Sequence, residues 1–194
     1  MNILLIDNYD SFTYNLVHLI REYDRGIKLD ILRNDQIYFD ELHHYDGIVL
    51  SPGPGIPSAA GLMPEVIKKF ASSTKILGIC LGHQAIGESW GAELKNLDEV
   101  FHGVSSATKI LDHSHYLFHG LPEIIETCRY HSWVINKNGL PADLIITAED
   151  ESGIIMGIKH KKLDVNGLQF HPESIMTPWG KTIIFNWLDN LQKK

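Results

Sequence analysis

Cys80 lies in the run Gly78-Ile79-Cys80-Leu81-Gly82-His83-Gln84, between an apolar stretch that reads as a buried strand and a stretch that reads as a helix. Gly-x-Cys-x-Gly at such a junction is the thiol form of a nucleophile elbow. The flanking glycines remove the Cβ atoms that would collide in so sharp a turn. The sulfur then stands at the top of a sheet, at a helix N-terminus whose dipole favours an anion. A thiolate performing acyl transfer needs a base, and eleven histidines compete for that role. His171 stands out because it follows directly on the strand-like residues 165–170, and functional groups gather at the carboxyl ends of strands in open α/β sheets. Glu173 comes two residues later, so in an extended chain both side chains face the same way. Its carboxylate can accept from the imidazole Nδ1, fix the tautomer and leave Nε2 toward the thiol, while Pro172 stiffens the turn. The expectation is a Cys80–His171–Glu173 triad. For the developing oxyanion, the Leu81 amide beside the nucleophile is one natural donor. The Gly53-Pro54-Gly55 loop, also following a strand, supplies glycine amides that a substrate can approach without obstruction. No Gly-Lys-Ser/Thr follows that loop, so it does not read as a phosphate cradle.

These groups must be held by a sheet. Residues 3–6 form an apolar run closed by Asp7-Asn8, as expected of a buried parallel strand. Asp10 or Ser11 is placed to cap a following helix with Phe12, Leu16, Leu19 and Ile20 at helical spacing. Residues 27–32 and 47–50 read as two further strands. Residues 51–57, Ser-Pro-Gly-Pro-Gly-Ile-Pro, then stop all regular structure. Residues 63–71 read as a helix, and the next strand delivers Cys80. Strand–helix alternation of this kind signals an α/β sheet with right-handed crossovers. Beyond it, segments 105–111, 128–135, 144–148, 154–159 and 165–170 are short and β-rich, and read as antiparallel strands added to the parallel core. An amphipathic helix over residues 179–191 ends the pattern, with Ile183, Ile184, Trp187, Leu188 and Leu191 on one side. One domain spanning residues 1–194 is expected.

Bulk properties narrow the function. The 194 residues are 44% hydrophobic and 21% charged, ordinary for a folded domain. A formal net charge of −7 argues against a nucleic-acid or anionic-membrane partner. Two cysteines, Cys80 and Cys128, make no disulfide framework and suit a reducing compartment. The first residues read as a strand rather than a leader, and no apolar stretch has the length of a membrane span. The expected location is the cytoplasm. Among the other histidines, His43-His44 reads as part of a polar loop, and His113 and His115 as flanking a surface turn with no thiol or carboxylate cluster to make a metal site.

The sequence resembles the class I, triad-type glutamine amidotransferases, and within them the small glutaminase subunits of anthranilate and aminodeoxychorismate synthases. Five stretches carry the resemblance: Asp7 to Asn15, Ser51 to Gly55, Gly78 to Gln84, Arg129 to Ser132, and His171 to Ile175. It implies a flavodoxin-like, open, mostly parallel sheet with helices on both faces and antiparallel strands added in the C-terminal half. By the same resemblance Cys80 attacks the side-chain amide of glutamine, His171 moves the proton and Glu173 orients it. Gly53 and Leu81 match oxyanion-hole positions, Gly55 belongs to the substrate loop, and Gln84 matches the side chain that holds glutamine. Ser132 and Trp133 match backbone contacts to its α-carboxylate and α-amino group; the family's commoner residue at the latter position is Leu. No cofactor is implied on this chain. The implied partner is a larger synthase subunit that binds chorismate with Mg²⁺ and receives ammonia, docking near Asp10 and Ser11. Anthranilate synthesis is favoured over the folate branch by Gly61-Leu62-Met63-Pro64 and by the His171 to Thr177 stretch. A cysteine peptidase or thiol chaperone on the same fold is the reading from another class. Gln84, Ser132 and the Gly53–Gly55 loop speak against it, since they fit a free amino acid rather than a peptide.

Overall fold

The computed structural model describes residues 1–23 and 26–192. Its strands are β1 (Asn2–Asp7), β2 (Lys28–Arg33), β3 (Gly47–Leu50), β4 (Lys75–Ile79), β5 (Leu94–Ile110), β6 (Ile124–Ile135), β7 (Leu144–Asp150), β8 (Ile155–His160) and β9 (Val165–Leu168). They form a single sheet in the order β2-β1-β3-β4-β9-β8-β7-β5-β6. The first five strands in that order pair parallel with one another, and every pairing from β9 onward, beginning with β9–β8, is antiparallel. The helices are α1 (Thr13–Arg21), α2 (Met63–Phe70), α3 (Leu81–Ser89) and α4 (Gly180–Leu191).

Alternation along the central strands decides which helix covers which face. Ile3 and Leu5 of β1 join Val49 and Leu77 in a core with Leu16, Val17 and Ile20 of α1 and Ile183, Ile184, Trp187 and Leu188 of α4. Leu4 and Ile6 point the other way and join Ile48, Leu50 and Ile76 against Met63, Val66 and Ile67 of α2 and Ala85 and Ile86 of α3. A strand buried on both faces cannot show polar alternation, which is why β1, β3 and β4 read as continuous apolar runs.

Three expectations need correction. Residues 165–170 are not part of the antiparallel addition: β9 pairs parallel with β4, Ile76 opposite Val165, and is antiparallel only to β8. The strand is short and fully buried, and such a run carries no mark of its partner's direction. Neither Asp10 nor Ser11 caps α1, since Phe12 holds the cap position and no side chain bonds there. The Asp10 carboxylate instead accepts from the Phe12 N–H at 2.8 Å, and Asp7 accepts from the Thr13 hydroxyl at 2.8 Å. His115 is buried rather than on a surface turn; its Nδ1 accepts from the Leu117 N–H, and burial pushes its pKa down to about 4.

The two elbow glycines are required by close approach. A Cβ at Gly78 would lie 2.4 Å from the Gly82 carbonyl carbon and oxygen, and one at Gly82 would lie 2.6 Å from the Leu50 oxygen. Those neighbours are backbone and cannot rotate away. Gly78→Ala should therefore cost about 3 kcal/mol, more than ordinary overpacking at a flexible neighbour. A fall in Tm of about 6–12 °C relative to wild type is the expected reading by calorimetry; an unchanged Tm would show that the junction has slack.

Candidate active site

The carboxyl edge of the parallel strands collects the chemistry. β4 ends at Ile79, and Cys80 adopts φ 51° and ψ −98° before α3 begins at Leu81. A non-glycine residue held at positive φ is strained, and such strain is kept where the surrounding structure over-determines it. Here the Cys80 N–H donates to the Leu168 oxygen at 2.8 Å, and its carbonyl accepts the Gln84 N–H at 3.1 Å, pinning both sides of the turn. Gly53 follows β3 and sits against this elbow, since a Cβ on it would be 2.7 Å from Leu81 Cδ2 and 2.6 Å from Asn8 Cβ. Gly53 and Leu81, the expected oxyanion donors, are thus brought together. Leu81 opens its helix, where N–H groups lack intrahelical acceptors.

His171 and Glu173 leave the same edge after β9. The His171 Nδ1 and Glu173 Oε1 are 2.7 Å apart, and both side chains are almost wholly shielded from solvent. Nε2 is the ring atom left for the thiol, buried and without a hydrogen-bond partner among the described residues. Burial works against a charged ring, but the neighbouring Cys80 and the Nδ1-bonded Glu173 outweigh it and hold the imidazole pKa well above 6.5. The ring is gripped by aromatic neighbours. Tyr130 stands edge-on at 5.2 Å between ring centroids, and Phe12 lies 5.7 Å from His171 and 4.9 Å from Tyr130.

Beside the sulfur lies a cavity of about 280 Å³ bordered by Gly53, Gly55, Cys80, Gln84, Ser132 and Trp133, which gathers the expected glutamine-binding set. Gln84 is buried, and its Nε2 donates to the Trp133 carbonyl at 2.8 Å and to Gln169 Oε1 at 3.2 Å. The Trp133 carbonyl accepts this one bond and keeps a second lone pair on the border of the cavity. Asp10 and Ser11 do not reach the cavity; they lie on the loop between β1 and α1, on the rim beside Phe12.

Several residues of the site were not anticipated. Val100, Phe101 and His102 complete one wall, supplied by a part of β5 whose register against β6 shifts between Asn96 and Phe101 and again between His102 and Val104. Bulges re-aim side chains in this way next to sites. Gly103, at φ +67°, was the available sign of the second irregularity. Behind that wall Arg129 is buried, paired with Asp150 at 2.6 Å, lying 3.7 Å over the Phe101 ring and donating from Nε to His131 Nε2 at 3.1 Å. Burial and the adjacent Arg129 push the His131 pKa down to about 3, so that ring is a neutral acceptor. His83 on α3 is also kept neutral, its pKa pushed down to about 3 by complete burial. Neither can serve as a base that cycles near neutral pH; His171, whose ring is paired with the Glu173 carboxylate, is suited to that task.

Comparison with known proteins points the same way. Residues 4–191 match the family described as Glutamine amidotransferase class-I. The Anthranilate synthase component 2 of Cyanophora paradoxa is 44% identical over 192 residues, covering 97% of this chain and 99% of that protein. The Aminodeoxychorismate/anthranilate synthase component 2 of Bacillus subtilis strain 168 is 41% identical over 194 residues, covering 99% of this chain and 98% of that protein. Among solved structures, a glutamine amidotransferase from Thermotoga maritima has a TM-score of 0.78 at 16% identity, covering 100% of this chain and 99% of that one. At that identity the likeness concerns the fold.

Proposed function

The chain belongs to the class I glutamine amidotransferases, and from that membership we propose that it hydrolyses the side-chain amide of L-glutamine and passes the ammonia to a larger, chorismate-binding synthase subunit that makes anthranilate. The observation that carries the proposal is the convergence of Cys80, the His171–Glu173 pair and the Gln84-lined cavity at one edge of the sheet. In the proposed reaction the Cys80 thiolate attacks the amide carbon, and the oxyanion that forms is met by the Gly53 and Leu81 amides. The His171 imidazolium gives its proton to the nitrogen, the C–N bond breaks and ammonia leaves. A γ-glutamyl thioester remains on Cys80. His171, now neutral, takes a proton from water as the oxygen attacks the thioester; glutamate departs and the thiolate–imidazolium pair is restored. Glu173 keeps Nδ1 protonated throughout.

We assign no cofactor to this chain and place the Mg²⁺ with chorismate on the partner. Support for a docked partner comes from exposed apolar side chains on segments leaving the carboxyl edge: Tyr9, Tyr14, Ile175, Met176 and Trp179, with Ile175 97% exposed. Single exposed apolar residues are unremarkable, but several around one rim favour an interaction surface. No helix among the described residues is long and apolar enough to cross a membrane. A cytoplasmic setting is part of the proposal, in keeping with two unpaired cysteines. Supply of aminodeoxychorismate synthase is a second reading, favoured by the double name of the Bacillus subtilis relative. Offering each synthase subunit in turn and assaying its amino-chorismate product separates the two.

Partner docking has a short path to the base. Asp10 holds the Phe12 N–H, and the Phe12 ring lies against His171 and Tyr130, so pressure on the Asp10–Ser11 loop reaches the imidazole through one side chain. We expect the isolated chain to release ammonia slowly and the complex loaded with chorismate to do so at least tenfold faster. A tenfold gain needs only about 1.4 kcal/mol of barrier lowering. Ammonia release measured with and without the synthase subunit tests this. Equal rates would make the chain a self-sufficient glutaminase, and no release under either condition would overturn the function.

A further inference from the structure

Gln169 is fully buried at the end of β9, two residues before His171, and the reaction described above leaves it without a task. Its backbone N–H donates to the Met156 oxygen at 3.0 Å, which fixes the main chain. Its side chain lies between the nucleophile and the substrate-binding residues. Nε2 is 3.6 Å from Cys80 Sγ, and Oε1 accepts from Gln84 Nε2 at 3.2 Å. Gln84 Nε2 also donates to the Trp133 carbonyl at 2.8 Å.

A glutamine amide has two N–H donors on nitrogen and one acceptor oxygen. Both donors of Gln84 are consumed by two oxygens, Trp133 O and Gln169 Oε1. The opposite orientation of its amide would set oxygen against both of those oxygens. Gln84 is thereby left with its carbonyl oxygen as the atom free to accept an N–H from a ligand in the cavity it borders. The same Gln169 amide offers an N–H to the Cys80 sulfur, and it can do so only while its oxygen faces Gln84.

We propose that Gln169 is a positioning residue with two linked effects: it donates to the reacting sulfur, and it orients Gln84 so that the binding cavity presents a carbonyl to an N–H group of glutamine. The proposal rests on the glutaminase reading for its substrate, but the contact with the sulfur stands apart from it. An N–H donor favours the anionic sulfur over the thiol, and it points the thiolate while the substrate is being placed.

Two variants separate the effects. Gln169→Met keeps length and removes both the donor and the acceptor. Gln169→Glu keeps an acceptor for Gln84 but puts an oxygen where the donor to sulfur was. Alkylation of Cys80 by iodoacetamide at pH 7, followed by mass spectrometry, requires no glutamine turnover. We expect it to slow about tenfold or more in Gln169→Met, the effect of one hydrogen bond to a charged group, and at least as much in Gln169→Glu, where an oxygen faces the anionic sulfur, and to recover as pH is raised. We expect KM for glutamine in the synthase complex to rise about fivefold or more in Gln169→Met and to stay within about twofold in Gln169→Glu. Circular dichroism and Tm establish that each variant is folded, and either variant alone suffices for the alkylation comparison. Folded variants that alkylate at the wild-type rate would overturn the contact with sulfur. An unchanged KM in Gln169→Met would overturn the orienting of Gln84. A wild-type protein that alkylates normally but hydrolyses no glutamine would count against the glutaminase reading and not against Gln169's action on the sulfur.

Discussion

Cys80→Ser is expected to abolish glutamine-dependent product formation by the proposed synthase complex and to leave ammonia-dependent formation largely intact. The serine hydroxyl fits where the thiol was, but it has no accessible anion near neutral pH and His171 is poised as an acid as much as a base. The expected loss is on the order of 10⁴-fold or more in glutamine turnover, the size seen when a nucleophile is removed from a triad that acts as a unit. In the proposed complex the second reaction belongs to the partner, so external ammonia should bypass the defect. A glutamine-analogue electrophile should label Cys80 and spare Cys128. The latter is fully buried on β6, with its sulfur 3.8 Å from Met176 Sδ and its carbonyl engaged by the His171 N–H. Equal labelling of both cysteines, or retained turnover in the serine variant, would remove Cys80 from the mechanism.

What could be read from the sequence follows from how local the signal was. Cys80 with its two glycines spans five residues, and His171 with Glu173 spans three, so each half of the triad is written in one stretch. Their meeting required only that β4 and β9 end at the same edge, and parallel pairing of the two strands provides it. The unread half of the site depends on distant partners. Gln169 meets Cys80 across 89 positions, and Arg129 meets Asp150 across 21, with nothing in either neighbourhood to announce the other. The β5 wall was hidden for a different reason. Residues 94–104 break strand alternation twice through register shifts, and a period-two pattern cannot be recognised across an inserted residue. β9 shows the reverse failure. Its apolar residues were recognised as a strand, yet four buried residues fit either direction, and only the neighbours chosen by the completed sheet decide.

His171→Ala is expected to be nearly inactive, and Glu173→Gln to keep a small residual turnover with a displaced pH profile. In the proposed reaction His171 carries the proton in both halves, so its loss should cost on the order of 10⁴-fold or more. Glu173 only positions and stabilises, so its loss should cost about one to two orders of magnitude less. The direction of the pH effect follows from the geometry. Burial opposes the imidazolium, while Cys80 and Glu173 favour it and prevail, holding its pKa well above 6.5. Replacing the carboxylate by an amide removes one of those two favourable partners and leaves the burial cost in place. The pKa therefore falls, and the alkaline limb of kcat/KM, where the proton needed by the leaving nitrogen is lost, moves to lower pH. Linkage gives an independent check on the same proton. A histidine whose pKa is raised by folding contributes stability that is complete below about pH 6.5 and is lost as pH rises through the folded value. Unfolding free energies of wild type should accordingly decline across that alkaline window, and those of Glu173→Gln should start to decline at the same pH but lose less and level off at lower pH. A Glu173→Gln enzyme with wild-type turnover and an unmoved alkaline limb would show that the carboxylate 2.7 Å from Nδ1 neither holds nor charges the ring.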